Sequence, residues 1–511
     1  MAKHLEAPPG MFKDLDDRIV GEALMIHGKQ LFIDDYVIED LRGGTKVLNQ
    51  PVKHPNNPLV VPDNPWEGIL GYSSVIYDAD EGLYKMWYGA WSADQKQQAL
   101  CYATSADGLV WRKPMISPRT EKAKNNIVFG LTHEFNCAGV FRDPADPDEM
   151  RRYKMLYSDY PDKTAKTAST SAAFSPDGIH WVTHPENPLI PFSDSQNCPF
   201  WDPRRGRYVA YLRYGPPNSR LISRVESEDF IRWSPKVTVL RRTGLDEPFG
   251  TCLYQMEVLP YEGIYLGLIS TYHGETTKPI PEGEKAWSDK LDVQLAFSRN
   301  GLTWSRVADP TLLKDARGGA LKPTPETWQR FTTQAAFIPF GECGQDWDWG
   351  GIYPLQGPIV VGDEVRIYYT GQCGHHWASY RGEKDLTSGI GLATLRLDGF
   401  VSVEATGAEG TLTTKPLVFI GDALEVNADA GGGSIAVEAL DPDGNVIEGF
   451  SRADGEPIQT DSVRHMLKWK GSDDAHLLQA RPIRLKFHIR NARLFSFTPR
   501  VLHRHYIPSY E

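Results

Sequence analysis

The seven residues Ser105-Ala106-Asp107-Gly108-Leu109-Val110-Trp111 recur along this chain. Ser175-Pro176-Asp177-Gly178 leads to Trp181, Ser298-Arg299-Asn300-Gly301 leads to Trp304, and a looser copy, Ser227-Glu228-Asp229-Phe230, leads to Trp233. In each copy the Trp stands four residues after the Asp or Asn. The residue types suit a tight turn. Asp or Asn accepts from nearby backbone N–H groups, Gly supplies positive φ, and Trp packs beneath the next strand. Self-similarity of this kind requires one supersecondary unit used repeatedly.

A second signal travels with the turn: an apolar run ending in Asp, a hairpin, then a Tyr-rich strand. Val75-Ile76-Tyr77-Asp78 precedes Tyr84-Lys85-Met86-Trp87-Tyr88, and Val140-Phe141-Arg142-Asp143 precedes Tyr153-Lys154-Met155-Leu156-Tyr157. Pro199-Phe200-Trp201-Asp202 precedes Tyr208-Val209-Ala210-Tyr211; fainter versions are Val258-Leu259-Pro260 before Tyr265, and Ile359-Val360-Val361-Gly362-Asp363 before Val365 to Tyr369. Five such units of short antiparallel strands predict an all-β fold, a five-bladed β-propeller over residues 46–400, closing with Leu397-Asp398-Gly399-Phe400. A composition with 46 Gly and 37 Pro suits so many turns.

Residues 1–45 are read as a polar arm followed by a strand, Leu31 to Ile38, that completes the last blade and closes the ring. Pro51 to Pro65 is read as an extended surface loop leading to Trp66-Glu67-Gly68. The polar stretch from Gly274 to Lys290 and the connection from Asp309 to Gln345 read as pocket walls or plain surface loops. After Phe400 the pattern changes to strict alternation, as in Leu424 to Ala428 and Ser434 to Leu440, with an Asp441-Pro442-Asp443-Gly444 hairpin turn. Residues 401–511 therefore read as a C-terminal β-sandwich.

Composition excludes some partners. The net charge is −11, with 55 basic against 66 acidic residues and no basic block, which argues against nucleic acid or an anionic membrane surface. No apolar run approaches a membrane span, and residues 1–21 lack the apolar centre of a signal peptide. Six cysteines with no Cys-x-x-Cys pair fit reduced thiols and a cytoplasmic location. Homo-oligomerisation is left open.

Each unit offers a carboxylate just before its inner strand: Glu67, Glu134, Asp194, the pair Asp246-Glu247, and Asp348. Strand starts converge on the axis of a propeller, so these acids are expected at the mouth of a central funnel; taken singly, each also reads as a solvated loop charge. Trp66, Tyr72, Tyr254, Trp347, Trp349 and Tyr353 are expected to offer ring faces for a substrate to stack on, with Glu134, Asn136, Asn197, Glu247, His273 and His375 as further substrate-binding groups. Cys137, Cys198 and Cys252 stand at equivalent strand starts. They read as small buried packing residues rather than metal ligands, and neither a metal nor another cofactor is expected.

The propeller followed by a terminal sandwich, the repeated Ser-x-Asp-Gly-x-x-Trp, Asn57-Pro58-Leu59 before Trp66-Glu67, and Leu412-Thr413-Thr414-Lys415-Pro416-Leu417 together resemble glycoside hydrolase family 32. The resemblance extends to its relatives, family 43 and the family 130 phosphorylases. It implies a glycoside-cleaving enzyme with three acids, in Asn-Asp-Pro, Arg-Asp-Pro and Glu-Cys settings. Arg142-Asp143-Pro144 matches the second by residue, yet the repeat aligns Asp143 with Asp78 and Asp202, at the far end of the inner strand. Asn197-Cys198 carries Asn where the third acid stands, and Tyr72-Ser73 replaces the first.

The catalytic expectation therefore falls on Glu67, Asp194 and Asp348. Glu67 or Asp348, flanked by Trp, is the general acid. Asp194, in a polar setting beside Gln196 and Asn197, is the base or nucleophile. The expected function is hydrolysis of a terminal sugar from a small saccharide. The alternatives are phosphorolysis or transfer, which needs donors such as Arg213 or Arg224, and a non-catalytic sugar-binding propeller.

Overall fold

The computed structural model describes residues 19–503 apart from 21–22, 93–97, 117–124, 133–134, 160–167, 216–219, 244–245, 247–250, 275–288, 308–334, 377, 379–382 and 384–385. Alternating and Tyr-rich segments become strands throughout. Among the described residues there is no α-helix, only short 3-10 turns such as Glu149–Arg151. Correspondingly, no described helix is long and apolar enough to cross a membrane. The chain forms two compact units, residues 50–361 with 365–394, and residues 1–49 with 362–364 and 395–511.

In the larger unit, three four-stranded antiparallel sheets follow one another. The first comprises Ile69–Asp78, Leu83–Trp91, Gln98–Ser105 and Ile127–Thr132; the second Phe135–Arg142, Tyr153–Asp159, Ser169–Ser175 and Val182–Thr183. The third comprises Asp194–Asp202, Arg207–Tyr214, Leu221–Ser227 and Val237–Leu240. A fourth set, Cys252–Tyr261, Ile264–His273 and Lys290–Ser298, joins a fifth, Gly351–Pro354, Glu364–Cys373 and Thr387–Arg396, through the parallel pair Leu291 and Gly351.

The leading strands are stitched together in order. Val140 N donates to Ser74 Oγ (2.9 Å), Gln196 Nε2 to Ala138 O (2.9 Å), Val258 N to Cys198 Sγ (3.2 Å) and Gln255 Nε2 to Pro354 O (3.1 Å). Gln356 N then donates to Ser73 O at 3.1 Å, which returns the succession to the first sheet in a propeller-like arrangement.

The recurrent turn is built as its residues dictate. Asp107 Oδ1 accepts from Leu109 N (2.8 Å) and Val110 N (2.9 Å) while Ser105 Oγ accepts from Gly108 N (2.9 Å); Asp177, Asp229 and Asn300 repeat this geometry. Three of the four turns dock on the middle strand of the preceding sheet, and the Asp229 carbonyl accepts from Arg151 instead (2.8 Å). Trp87 Nε1 donates to Gly178 O (2.6 Å), Tyr211 Oη to Gly301 O (2.7 Å) and Tyr368 Oη to Gly108 O (2.8 Å). The turn is thus a joint between sheets, and the glycine, at φ +76° in Gly108, leaves room for that partner ring.

The Asp that ends each leading strand is a second joint. Lys85 Nζ (2.9 Å) and Tyr153 Oη (2.6 Å) donate to Asp78, and Lys154 Nζ (2.7 Å) and Tyr208 Oη (2.7 Å) to Asp143. Tyr265 Oη donates to Asp202. The lysine comes from the same sheet and the tyrosine from the next. Burial raises the carboxyl pKa of Asp78, but its hydrogen bonds from Tyr153 and Lys85 outweigh that and hold it at about 2. Asp143 therefore belongs to an intersheet joint, as its alignment with Asp78 and Asp202 implied.

The segment read as a surface loop after Pro51 is instead the outermost strand of the fifth sheet. Lys53 and Val52 pair antiparallel with Ala393 and Thr394 of Thr387–Arg396, and Asn57 exchanges hydrogen bonds with the backbone of Leu392 (2.9 Å each way). Asn187 does the same to Ala172 in the second sheet, at 2.9 Å in both directions. The two places share a sequence, His54-Pro55-Asn56-Asn57-Pro58-Leu59 and His184-Pro185-Glu186-Asn187-Pro188-Leu189.

The strand expected from Leu31 to Ile38 does not close that ring. Only its ends are extended, and Asp34 Oδ1 accepts from Tyr36 N (3.1 Å), the short-range bond by which an Asp turns the chain. Gln30–Leu31 pairs with Ala492–Arg500, and Ile38–Arg42 with Gly410–Thr414, both in the smaller unit. That unit has three sheets, of three, six and four strands, that share one apolar core, in which Phe32, Val37, Leu412, Val426, Phe487 and Phe497 are fully buried.

Candidate functional site

The leading strands share an irregularity at their starts. Pairing slips between Gly71 and Ser73, between Asn136 and Gly139, between Asp194 and Cys198, and between Leu253 and Gln255. Each slip is a β-bulge, which re-aims the extra side chain. Tyr72, Cys137 and Ser195 take positive φ (42°, 54° and 69°), an uncommon conformation for residues bearing Cβ.

Two bulged residues, Tyr72 and Tyr254, meet over the centre, hydroxyl to hydroxyl at 2.8 Å. Tyr353 packs edge-on against both, with centroids 6.1 and 5.7 Å away, and its hydroxyl bonds His376 Nδ1 at 2.8 Å. This tyrosine floor adjoins a cavity of about 190 Å³ lined by Leu70, Gly71, Tyr72, Trp91, Tyr353, Gln372 and His376. Aromatic faces with a few polar tips suit a sugar ring, which presents C–H groups on its faces and hydroxyls at its rim. Burial pushes the Tyr72 and Tyr353 hydroxyls well above the usual range, so they act as neutral hydrogen-bonding groups.

Beside the floor, Asp194 pairs with Arg213 and accepts from Ser195 N at 2.6 Å. Burial opposes its ionisation, but the Arg213 charge and the Ser195 N–H prevail, so its pKa falls below the usual carboxyl value. The Asp194 side chain remains 52% exposed, accessible to a ligand. Arg213 and Arg220 lie over the Tyr254 ring at 4.5 and 5.1 Å, and Arg220 also over Tyr272 at 5.6 Å. Tyr272 Oη donates to Asp289 Oδ1 at 2.6 Å. Burial, then Arg220 and Arg213, lower the His376 pKa to about 3, so this imidazole is neutral at physiological pH.

The site residues read from sequence separate into three groups. Tyr72 and Tyr254 meet at the floor, Asp194 is linked to it through Arg213, and Asn136 accepts from Gln98 Nε2 at 3.1 Å. Glu134 and Glu247 lie outside the described residues. The remainder have structural partners.

Glu67 is turned toward the outer strands, where Tyr88 Oη (2.6 Å) and Lys113 Nζ (2.7 Å) occupy its carboxylate, and Trp66 Nε1 donates to Asn126 (3.0 Å). Asp348 is held by Lys53 Nζ (2.7 Å) and Tyr369 Oη (3.0 Å), so it secures the ring-closing strand. Asn197 is fully buried, spanning Thr170 and the Cys137 carbonyl. His273 is fully buried between Thr251 Oγ1 (3.0 Å) and Asp292 (2.9 Å). Trp349 donates to Cys373 Sγ (3.1 Å) and stands edge-on to His375, whose Nδ1 bonds Glu383 at 2.5 Å.

Arg220, Trp91, His376 and Asp289 were not among the expected site residues; Tyr353 was expected as a stacking ring, and Arg213 was weighed only as a phosphate donor. Arg224, weighed beside Arg213 as a donor, sits under the Gly301 turn and pairs with Glu226 at 2.8 Å. Among the described residues no cluster of three or more His, Cys, Asp or Glu has metal-holding geometry. Beneath the floor, Glu257 is 1% exposed and its carboxylate oxygens have no hydrogen-bond partner; the Cys198 thiol donates instead to Val258 O at 3.7 Å. Burial pushes the Glu257 carboxyl up to about 8.

No family model matches the chain, and no curated protein is significantly similar to it. Solved structures do resemble it. An N-acetylgalactosamine deacetylase from F. plautii, in complex with blood group B trisaccharide, is 13% identical over 70% of this chain and 96% of its own, with a TM-score of 0.42. A structure from work on family 130 mannoside phosphorylases and glycoside hydrolases is 14% identical over 71% and 95%, TM-score 0.41. The Bombyx mori family 32 β-fructofuranosidase is 12% identical over 89% and 95%, TM-score 0.38.

Proposed function

We propose that the chain is a five-bladed β-propeller, residues 46–400, with a C-terminal β-sandwich, and that the propeller funnel cleaves a terminal sugar from a small saccharide. The observation that carries this reading is an aromatic cavity of about 190 Å³ whose wall residue Tyr72 bonds Tyr254, with an accessible, ionised Asp194 joined to that ring through Arg213. Hydrolysis of a glycoside needs one ionised carboxylate and one protonated partner. Asp194 fits the first role, as base or nucleophile. Asp289, which accepts from Tyr272 beyond the arginine stack, is a second carboxylate of this region. Tyr72, Trp91 and Tyr353 would hold the sugar ring, and the neutral His376 its hydroxyls.

A second reading, a sugar-binding propeller without catalysis, is favoured by the loss of Glu67 and Asp348 to structural pairs. One assay separates the two. Against a panel of 4-nitrophenyl glycosides, the enzyme reading requires turnover that falls at least about 10²-fold in Asp194→Asn, with the melting temperature little changed. Binding of saccharides by calorimetry without turnover of any would favour the second reading.

A further inference from the structure

The funnel contains a cation that the fold leaves uncompensated. Arg220 is 6% exposed and, among the described residues, makes no ion pair, and its Nη1 has no hydrogen-bond partner there. Arg213, equally buried at 6%, spends one arm on Asp194, while its own Nη1 is likewise unpartnered. A buried guanidinium without a carboxylate is costly, and such groups are normally paired. Stacking on Tyr254 and Tyr272 compensates only part of that cost, because a ring face accepts a cation but satisfies no N–H. Among the described residues these two guanidiniums thus have one ion-paired carboxylate between them, Asp194.

We propose that Arg220 and Arg213 form a subsite for an oxyanion carried by the saccharide, most simply the carboxylate of a uronic acid. The subsite rests on the reading of the funnel as a saccharide site. The arginines lie directly behind Tyr254, whose hydroxyl meets Tyr72 at the cavity wall. A sugar stacked there would bring an exocyclic carboxylate within one side chain of Arg220. Guanidinium forks bind planar carboxylates through paired N–H donors, which supplies the partners Nη1 lacks. The low pKa of His376, set in part by Arg220 and Arg213, marks the same positive potential.

Calorimetry on the full chain with methyl glucuronide, methyl glucoside and inorganic phosphate tests the proposal, using wild type, Arg220→Lys and Arg220→Met. The glucuronide should bind at least about tenfold more tightly than the glucoside, and Arg220→Met should abolish that preference. Arg220→Lys should keep part of it. Thermal unfolding adds a readout that a structural arginine would move the other way: removing an unpaired buried charge should raise the melting temperature of Arg220→Met.

Equal affinity for glucuronide and glucoside, or a preference that survives Arg220→Met, overturns the subsite while leaving the saccharide reading intact. Binding of phosphate without preference for the acidic sugar overturns the assignment to the saccharide and makes the anion a separate molecule. If neither glycoside binds, the saccharide reading fails, and the subsite assignment fails with it.

Discussion

Replacing Asp143 by Asn tests whether the Arg-Asp-Pro segment is a joint or a catalytic group. Asp143 takes Lys154 Nζ and Tyr208 Oη, each at 2.7 Å, and the backbone N of Ala145 at 2.8 Å. Both charged side chains are 0% exposed, so solvent does not screen the pair. Asparagine can still accept from Ala145 and Tyr208, but it leaves the buried ammonium with one carboxylate, Asp146 at 2.8 Å, beside the Arg151 carbonyl at 2.9 Å. Breaking a buried pair costs about 3–5 kcal/mol, and the retained Asp146 places this case near about 3 kcal/mol. That is roughly a 150-fold change in the folding equilibrium. Urea unfolding at pH 7, followed by Trp fluorescence, reads the loss directly. Asp143→Asn/Lys154→Met should recover at least half of it, because the orphaned charge is gone. A variant Asp143→Asn that keeps its urea midpoint yet loses activity about 10²-fold or more would refute the joint and restore a catalytic Asp143.

Three further outcomes follow from other buried groups. Glu257 holds its proton in the folded chain up to about pH 8, whereas the unfolded carboxyl ionises near 4.5; the wild type therefore loses stability as pH rises from 4.5 to 8. Glu257→Gln should match wild type at pH 4 and exceed it by up to about 5 kcal/mol at pH 8.5 in urea titrations, and a pH-independent difference would contradict the burial argument. Gly108→Ala places a Cβ 2.5 Å from Tyr368 Oη at φ +76°, and should cost about 2–4 kcal/mol by thermal unfolding; a change below about 0.5 kcal/mol would show that the turn does not dock there. Asp348→Asn removes the charge that holds Lys53, and limited proteolysis should then cut first near residues 52–60; unchanged protection would show that the strand is held without it.

The architecture was legible because the turn chemistry is local: Ser, Asp and Gly at fixed spacing specify one backbone geometry wherever they occur, as Asp107 and Asp177 do. Position along the strand also separated Asp143 from the funnel. The site was less legible, because its key step is a bulge. Whether Tyr72 or Ser73 faces the centre depends on one slipped pairing, and the sequence at Gly71-Tyr72-Ser73 carries no mark of it. The ion pairs of Glu67 and Asp348 were not legible, because their partners, Lys113 and Lys53, come from distant segments that strand spacing does not locate. The ring-closing strand had a visible signal, the shared His-Pro-x-Asn-Pro-Leu at 54–59 and 184–189, which identifies the two segments as equivalent outer strands.

That closing strand also governs how the molecule can be made. Lys53 waits for Ala393, 340 residues further along, before its pairing exists. During synthesis the earlier sheets emerge with the seam open, exposing strand edges that invite association with other chains. Contacts this distant in sequence make folding slow compared with a helical chain of equal size. An open array of repeats can gain or lose a unit at its end, but a closed circle cannot, since removing any sheet strands the two segments that meet at the seam. Changing the number of units in such a lineage would therefore require a new meeting of first and last strands, which holds repeat number fixed while the loops above vary.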